Sequence, residues 1–198
     1  LSDGNCVFLS NGDFVVQHTW FRIPKEGYTI PMINRLNPSG EVKWSKRLKV
    51  VLPCLDCLAV TDFDEIITAT SRVKTSSEFN DYSYLYKLDA EGDLIWSKGI
   101  KNLELVNIMR LRDGHFLAST LDFPDDLNAK SLLIKFTAKG ELLWAKIYKN
   151  IAYYEIMESS DGGITMVGDY RDLQCASCMG ILWLDKDGKK LDSRKIVL

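Results

Sequence analysis

A short pattern closing on Gly-x-x-x-Trp-Ser-Lys recurs through the chain, and a fixed interval of 20–50 residues constrains a fold more than composition does. It occupies residues 36–46, where Gly40 precedes Trp44, Ser45 and Lys46, and returns at 88–98 around Gly92 and Trp96. A third copy runs over 136–146 with Gly140 and Trp144, and a worn fourth over 184–195 keeps Gly188 but carries Asp192 at the tryptophan position. The four glycines are 52, 48 and 48 residues apart.

A second motif keeps step with the first. An apolar run enters Asn11-Gly12-Asp13, Asp62-Phe63-Asp64, Asp113-Gly114-His115 or Asp161-Gly162-Gly163 and leaves on another apolar run. In register with the copies, Cys6, Cys57, Ile108 and Ile156 fall in equivalent places. Asn-Gly and Asp-Gly supply the positive backbone angles that tight hairpins need.

Each unit therefore resolves into four strands. Strands A and B flank the first motif, an apolar strand C (83–88, 131–136 and 179–184 in the last three units) follows a polar connection of variable length, and strand D carries the tryptophan. No segment sustains a helical period; only 102–111 has a weak one. The expected fold is an all-β propeller of four four-stranded antiparallel blades, at about residues 1–50, 51–100, 101–148 and 149–198. A hydrophobic fraction of 46% over 198 residues suits a packed core. The balance of 25 Lys+Arg against 27 Asp+Glu argues against a nucleic-acid partner. No apolar run is long enough to span a bilayer. The first residues lack both an initiating Met and the regions of a signal peptide, so the chain reads as a mature or trimmed segment.

The L-D-x-x-G-x-x-x-W-S-K unit, in four copies over nearly the whole chain, resembles bacterial propeller repeats of the quinoprotein-like and delta-60 type. The resemblance implies that Trp44, Trp96 and Trp144 pack between neighbouring blades, and it suggests an extracytoplasmic location. It leaves three arrangements open: a closed four-bladed ring, part of a larger propeller, or a half-ring that self-associates. A quinoprotein-like enzyme is one functional alternative that it implies, and part of an envelope or extracellular assembly is another.

Two Cys-x-x-Cys pairs, Cys54 with Cys57 and Cys175 with Cys178, have the spacing from which tetrahedral zinc sites are built. The competing readings are a local disulfide at 175–178 and inert thiols, with Cys57 a small buried apolar residue. Neither pair is followed by His, so haem attachment is excluded. The chain contains no hydrolase, nucleotide-binding or EF-hand frame, and its acidic turns at 89–93 and 185–188 read as hairpins. His18 and His115 read as strand residues.

The connections between strands B and C gather aromatic and charged residues at one end of the blades. Trp20, Phe21, Arg22, Tyr28, Arg72, Asp125, Tyr170 and Arg171 fall there, with Tyr153 from the last D-to-A connection. Such residues on loops held by a rigid scaffold suit recognition. The expectation is a non-enzymatic binding or scaffold module, without a cofactor unless the cysteines hold zinc, that meets a protein or small ligand at this loop face.

Overall fold

The computed structural model describes residues 5–22, 29–48, 52–71, 73–74, 79–80, 82–101, 103–122, 130–172 and 175–197. The described chain is all strand and turn, with no helix. It forms two compact units, Leu1–Arg110 and Leu111–Leu198.

In the first unit, β1 (Asn5–Phe8), β2 (Phe14–Arg22), β3 (Thr29–Leu36) and β4 (Val42–Arg47) form an antiparallel sheet in chain order. The second repeat supplies β5 (Leu52–Val60), β6 (Ile66–Ser71), the short pair β7 (Val73–Lys74) and β8 (Phe79–Asn80), then β9 (Tyr82–Leu88) and β10 (Leu94–Lys101). Last comes β11 (Glu104–Arg110), a strand where the sequence carried a weak helical period. It alternates between exposed Glu104 and buried Leu105 and Asn107, as a strand half in water must.

The sheet order β10-β9-β6-β5-β11 departs from four separate blades. β5 pairs antiparallel with β6 and also parallel with β11, matching Asp56 to Asn107 and Cys57 to Ile108. The β5–β6 ladder jumps from Pro53↔Thr70 to Leu58↔Thr68, so residues 54–57 bulge out of it. That bulge is the stretch β11 joins. Strands of the second and third repeats are thus hydrogen-bonded into one sheet, whereas the first repeat keeps its own.

The second unit contains β12 (Phe116–Asp122), β13 (Lys130–Phe136) and β14 (Leu142–Lys149), then β15 (Ile151–Glu158), β16 (Ile164–Asp172), β17 (Cys175–Leu184) and β18 (Lys190–Ile196). The last four form the fourth repeat's sheet in chain order.

Eight described turns share one geometry. The N–H of Leu9, Asn37, Thr61, Asp89, Leu111, Thr137, Ser159 and Asp185 donates to the carbonyl four residues on, at 2.8–2.9 Å. The residue three positions on has positive φ in every case. Seven of these are glycines and the eighth is Asp64 at φ 60, since Asp tolerates the left-handed region better than most side chains. Asp64 also corrects the repeat alignment. With the turns superimposed, Leu58 stands with Cys6, Ile108 and Ile156, and Cys57 falls one residue earlier.

Each unit builds its core from inward-facing strand residues. Leu9, Val15, Ile33, Leu48, Leu58, Ile66, Tyr86 and Leu88 cluster in the first, and β6 is buried at all six positions. In the second, Phe116 stacks on Phe136 at 5.7 Å, and Leu117, Leu133, Ile164 and Met166 are fully buried. Serines at the start of strand C tie the second repeat to the third and the third to the fourth: Ser83 donates to the Leu103 carbonyl, and Ser131 to that of Ile151 at 3.1 Å.

Candidate binding surfaces

Two of the three strand-D tryptophans for which the resemblance implies packing between repeats, Trp44 and Trp144, reach the following repeat. Trp44 lies against Gly92, where an added Cβ would meet its ring at 3.1 Å, and its Nε1 donates to the Ala90 carbonyl at 3.0 Å. Trp144 lies against Gly188, where a Cβ would meet the ring at 2.8 Å. Lys146 adds a bond to the Asp187 carbonyl at 2.5 Å. Lys98 sits over the ring of Trp96 at 5.8 Å.

Sequence reading missed the cation across from each tryptophan. Arg35 pairs with Trp44, Lys87 with Trp96 and Lys135 with Trp144. Each cation binds an acid from its own A–B turn: Arg35 with Asp13 at 2.7 Å, Lys87 with Glu65 at 2.7 Å and Lys135 with Asp113 at 2.7 Å. Lys43 Nζ, 2.6 Å away, holds the Asp13 carboxyl down at about 2, with Arg35 and Asn11 adding to it. Burial pushes Asp113 up, but Lys135 and His115 outweigh it and hold the group at about 2. The fourth repeat inverts the arrangement. Trp183 stands on strand C across from Asp192 on strand D, with the Arg194 guanidinium 5.7 Å from its ring. In the fourth copy the tryptophan thus stands on strand C, at the place of the cation, and Asp192 takes the strand-D position.

The acidic turns are used by their own backbone. Asp89 Oδ1 accepts from Glu91 and Asp93, and Asp185 Oδ1 from Asp187 and Lys189, at 2.8–3.0 Å. Asn37 and Thr137 do the same in the other two repeats. His18 contacts Asn34 at 2.6 Å, and His115 faces Asp113 at 3.1 Å.

Cys54 and Cys57 are both buried and joined as a disulfide inside the β5 bulge. Cys57 is buried as expected, though as half of a crosslink. Cys178 is buried and disulfide-bonded, whereas Cys6 is an exposed thiol. Cys175 begins β17, and its side chain lies outside what the structure describes. Zinc held by four thiolates would require both pairs reduced.

Of the loop-face residues, Trp20, Phe21 and Arg22 end β2, Tyr153 lies in β15, and Tyr170 and Arg171 near the end of β16. Tyr28, Arg72 and Asp125 lie outside the described residues, as do the side chains of Trp20, Phe21, Arg22, Tyr153 and Arg171. Tyr170 is half-buried, with Lys195 Nζ 5.3 Å from its ring.

Each unit also has a groove beside strand D. The first, about 540 Å³, lies between the end of β4 and strands β9 and β10, lined by Lys46, Tyr84, Tyr86 and Asp93 among others. The second, about 560 Å³, lies between the end of β14 and strands β17 and β18, with Lys149, Asn150, Tyr170, Lys190 and Lys195 among its lining.

These features define a propeller-like all-β chain. Neither a protein-family model nor a curated protein matches its sequence. Among solved structures it is similar to the Dos1 propeller, with TM-score 0.61 and 12% identity over 98% of this chain and 61% of that one. It is also similar to MPT-4, a mannose phosphorylase from Leishmania mexicana solved with a phosphate ion, with TM-score 0.55 and 14% identity over 98% of this chain and 68% of that one. A Synechocystis apocarotenoid oxygenase mutant matches with TM-score 0.53 and 10% identity over 97% of this chain and 49% of that one. The chain thus spans less than two thirds of the Dos1 propeller and about half of the oxygenase. At these identities the likeness shows the fold alone.

Proposed function

We propose that the chain is a non-enzymatic binding module of the propeller class, which meets a protein or small ligand through the ends of its repeats that carry the B-to-C connections. The observation behind this is a contrast between the two ends of each sheet. The A–B and C–D ends repeat one turn eight times with near-identical hydrogen bonds. The B–C connections differ in every repeat: residues 23–28, then 72–81 with its own β7–β8 pair, then 123–129, then 173–174. A uniform end serves folding, and diversity confined to the other end is where recognition is placed on a rigid scaffold. The residues we assign to it are Trp20, Phe21, Arg22, Tyr28, Arg72, Asp125, Tyr153, Tyr170 and Arg171.

The disulfides favour an oxidising, extracytoplasmic compartment. The incomplete span of the Dos1 propeller favours a second reading, in which these four repeats work within a larger propeller or assembly. The native mass of the cellular product separates that from a closed four-repeat ring.

The test is binding to arrayed peptides and glycans, with the wild-type chain beside a combined Trp20→Ala, Arg22→Ala, Arg72→Ala variant. The proposal expects array signals that the variant loses at an unchanged thermal midpoint. Signals that the variant retains would overturn it.

A further inference from the structure

The geometry points to a binding site for a sugar-sized organic anion, bearing phosphate or carboxylate, in the second unit's groove between β14 and β18. This deepens the binding-module reading, sharing Tyr170 with the loop face, and places the ligand beside the sheet edge.

Comparison with the equivalent groove of the first unit carries the inference. There the lining sets one acid against Lys46 and Arg47, Asp93 lying 2.8 Å from Lys46 Nζ. Tyr84 lines it, stacked on Tyr86 with ring centroids 6.2 Å apart. Aligned through the strand pairings, the fourth repeat changes each of these elements. Lys189 replaces Asp93, Lys190 replaces Leu94 and Lys195 replaces Gly99. Gly180 replaces Tyr84, and Ile151 and Tyr170 pack against it, so that a Cβ at 180 would overlap Ile151 and touch Tyr170 at 3.0 Å.

The result is a groove of about 560 Å³ whose described lining includes Lys149, Lys190, Arg194 and Lys195 and no Asp or Glu. Cavities of this size hold small organic molecules. Lysines converging on one concavity give an anion several charge-assisted bonds. Asn150 and Ser193 offer hydrogen bonds to hydroxyls, and the Tyr170 ring offers an apolar wall beside Lys195.

Titration calorimetry tests this with a hexose phosphate, glucuronate, inorganic phosphate and neutral glucose as probes. Binding of the hexose phosphate or glucuronate, weakening with added salt and absent for glucose, is expected. The first two probes tell phosphate from carboxylate, and binding of inorganic phosphate as tight as that of the hexose phosphate would overturn the sugar-sized site. Lys190→Leu with Lys195→Gly, which installs the second repeat's residues, should weaken binding about tenfold or more. Lys149→Gln, on the opposite wall, should weaken it severalfold and serves if the double variant does not fold. Equal affinity in these variants, or no binding of either organic anion at millimolar concentration, would overturn the site. The Trp20→Ala, Arg22→Ala, Arg72→Ala variant should keep anion binding, so the groove and the loop face fail separately.

Discussion

Replacing Trp44 with Ala tests whether the strand-D tryptophan joins neighbouring repeats. Its half-buried ring packs on the first unit's core, covers Gly92 and donates to Ala90. An aromatic ring in such a place hides ~150 Å² or more, worth ~3.8 kcal/mol at ~25 cal/mol per Å². Residual burial in the denatured chain lowers this to about 2–3 kcal/mol, and the lost hydrogen bond adds about 1 kcal/mol. Trp44→Ala should therefore cost about 3–4 kcal/mol. Trp44→Phe, which keeps most of the ring, should cost about 1–2 kcal/mol. Val42, on the same strand but 59% exposed, is the control, with an expected cost under ~0.5 kcal/mol on truncation. Urea unfolding followed by circular dichroism measures these differences. With a slope of ~2 kcal/mol per molar, the Trp44→Ala midpoint should fall by ~1.5–2 M. A midpoint within ~0.3 M of wild type, or no lower than that of Val42→Ala, would refute the reasoning.

Turn glycines should separate backbone strain from crowding. Gly40→Ala, with open space around it, should cost only the left-handed penalty of ~1–2 kcal/mol, whereas Gly188→Ala must also displace Trp144 and should cost more on the same assay. Acid should weaken the protein through the turn carboxylates. Asp13 and Asp113 are held near 2, against ~3.9 for an ordinary Asp, so their contribution is present above pH ~4 and is lost as pH falls through about 2. Asp13→Asn should flatten the stability profile over that window, and an unchanged profile would show that Asp13 contributes nothing there. Alkylation and mass mapping of unreduced, denatured protein should label Cys6 and spare Cys54, Cys57 and Cys178 until reductant is added. Label on Cys54 or Cys57 before reduction would count against the disulfide.

The repeat was legible because its hairpins demand a residue that tolerates positive φ, which glycine supplies at seven of the eight turns. The eighth, Asp64, has no such mark, and it shifted the second repeat's alignment by one residue at Cys57. The four-residue bulge at 54–57 and its parallel pairing with β11 are non-local, and no local pattern announces that a strand will leave one neighbour for another. The cations Arg35, Lys87 and Lys135 could have been found, since they occupy one column once the repeats are in register. Their acids come from different turn positions, Asp13 and Glu65 after the turn residue and Asp113 before it, which blurred the pairing. Trp183 was hidden for a related reason: the lack of a tryptophan on strand D is visible in one dimension, but the place of Trp183 across from Asp192 is visible only across the ladder. The loop-face residues were chosen on composition, and six of the nine, Trp20, Phe21, Arg22, Tyr153, Tyr170 and Arg171, stand on strands rather than in the connections where the sequence set them.

Residue-by-residue amide exchange at the eight turns tests the repeat architecture most directly. The turn amides of Leu9, Asn37, Thr61, Asp89, Leu111, Thr137, Ser159 and Asp185 each donate to the carbonyl four residues on. They should exchange slowly in all four repeats, the worn fourth included. Ser159 and Asp185 exchanging at the rate of an open chain while the other six stay protected would contradict a turn geometry shared by all four repeats.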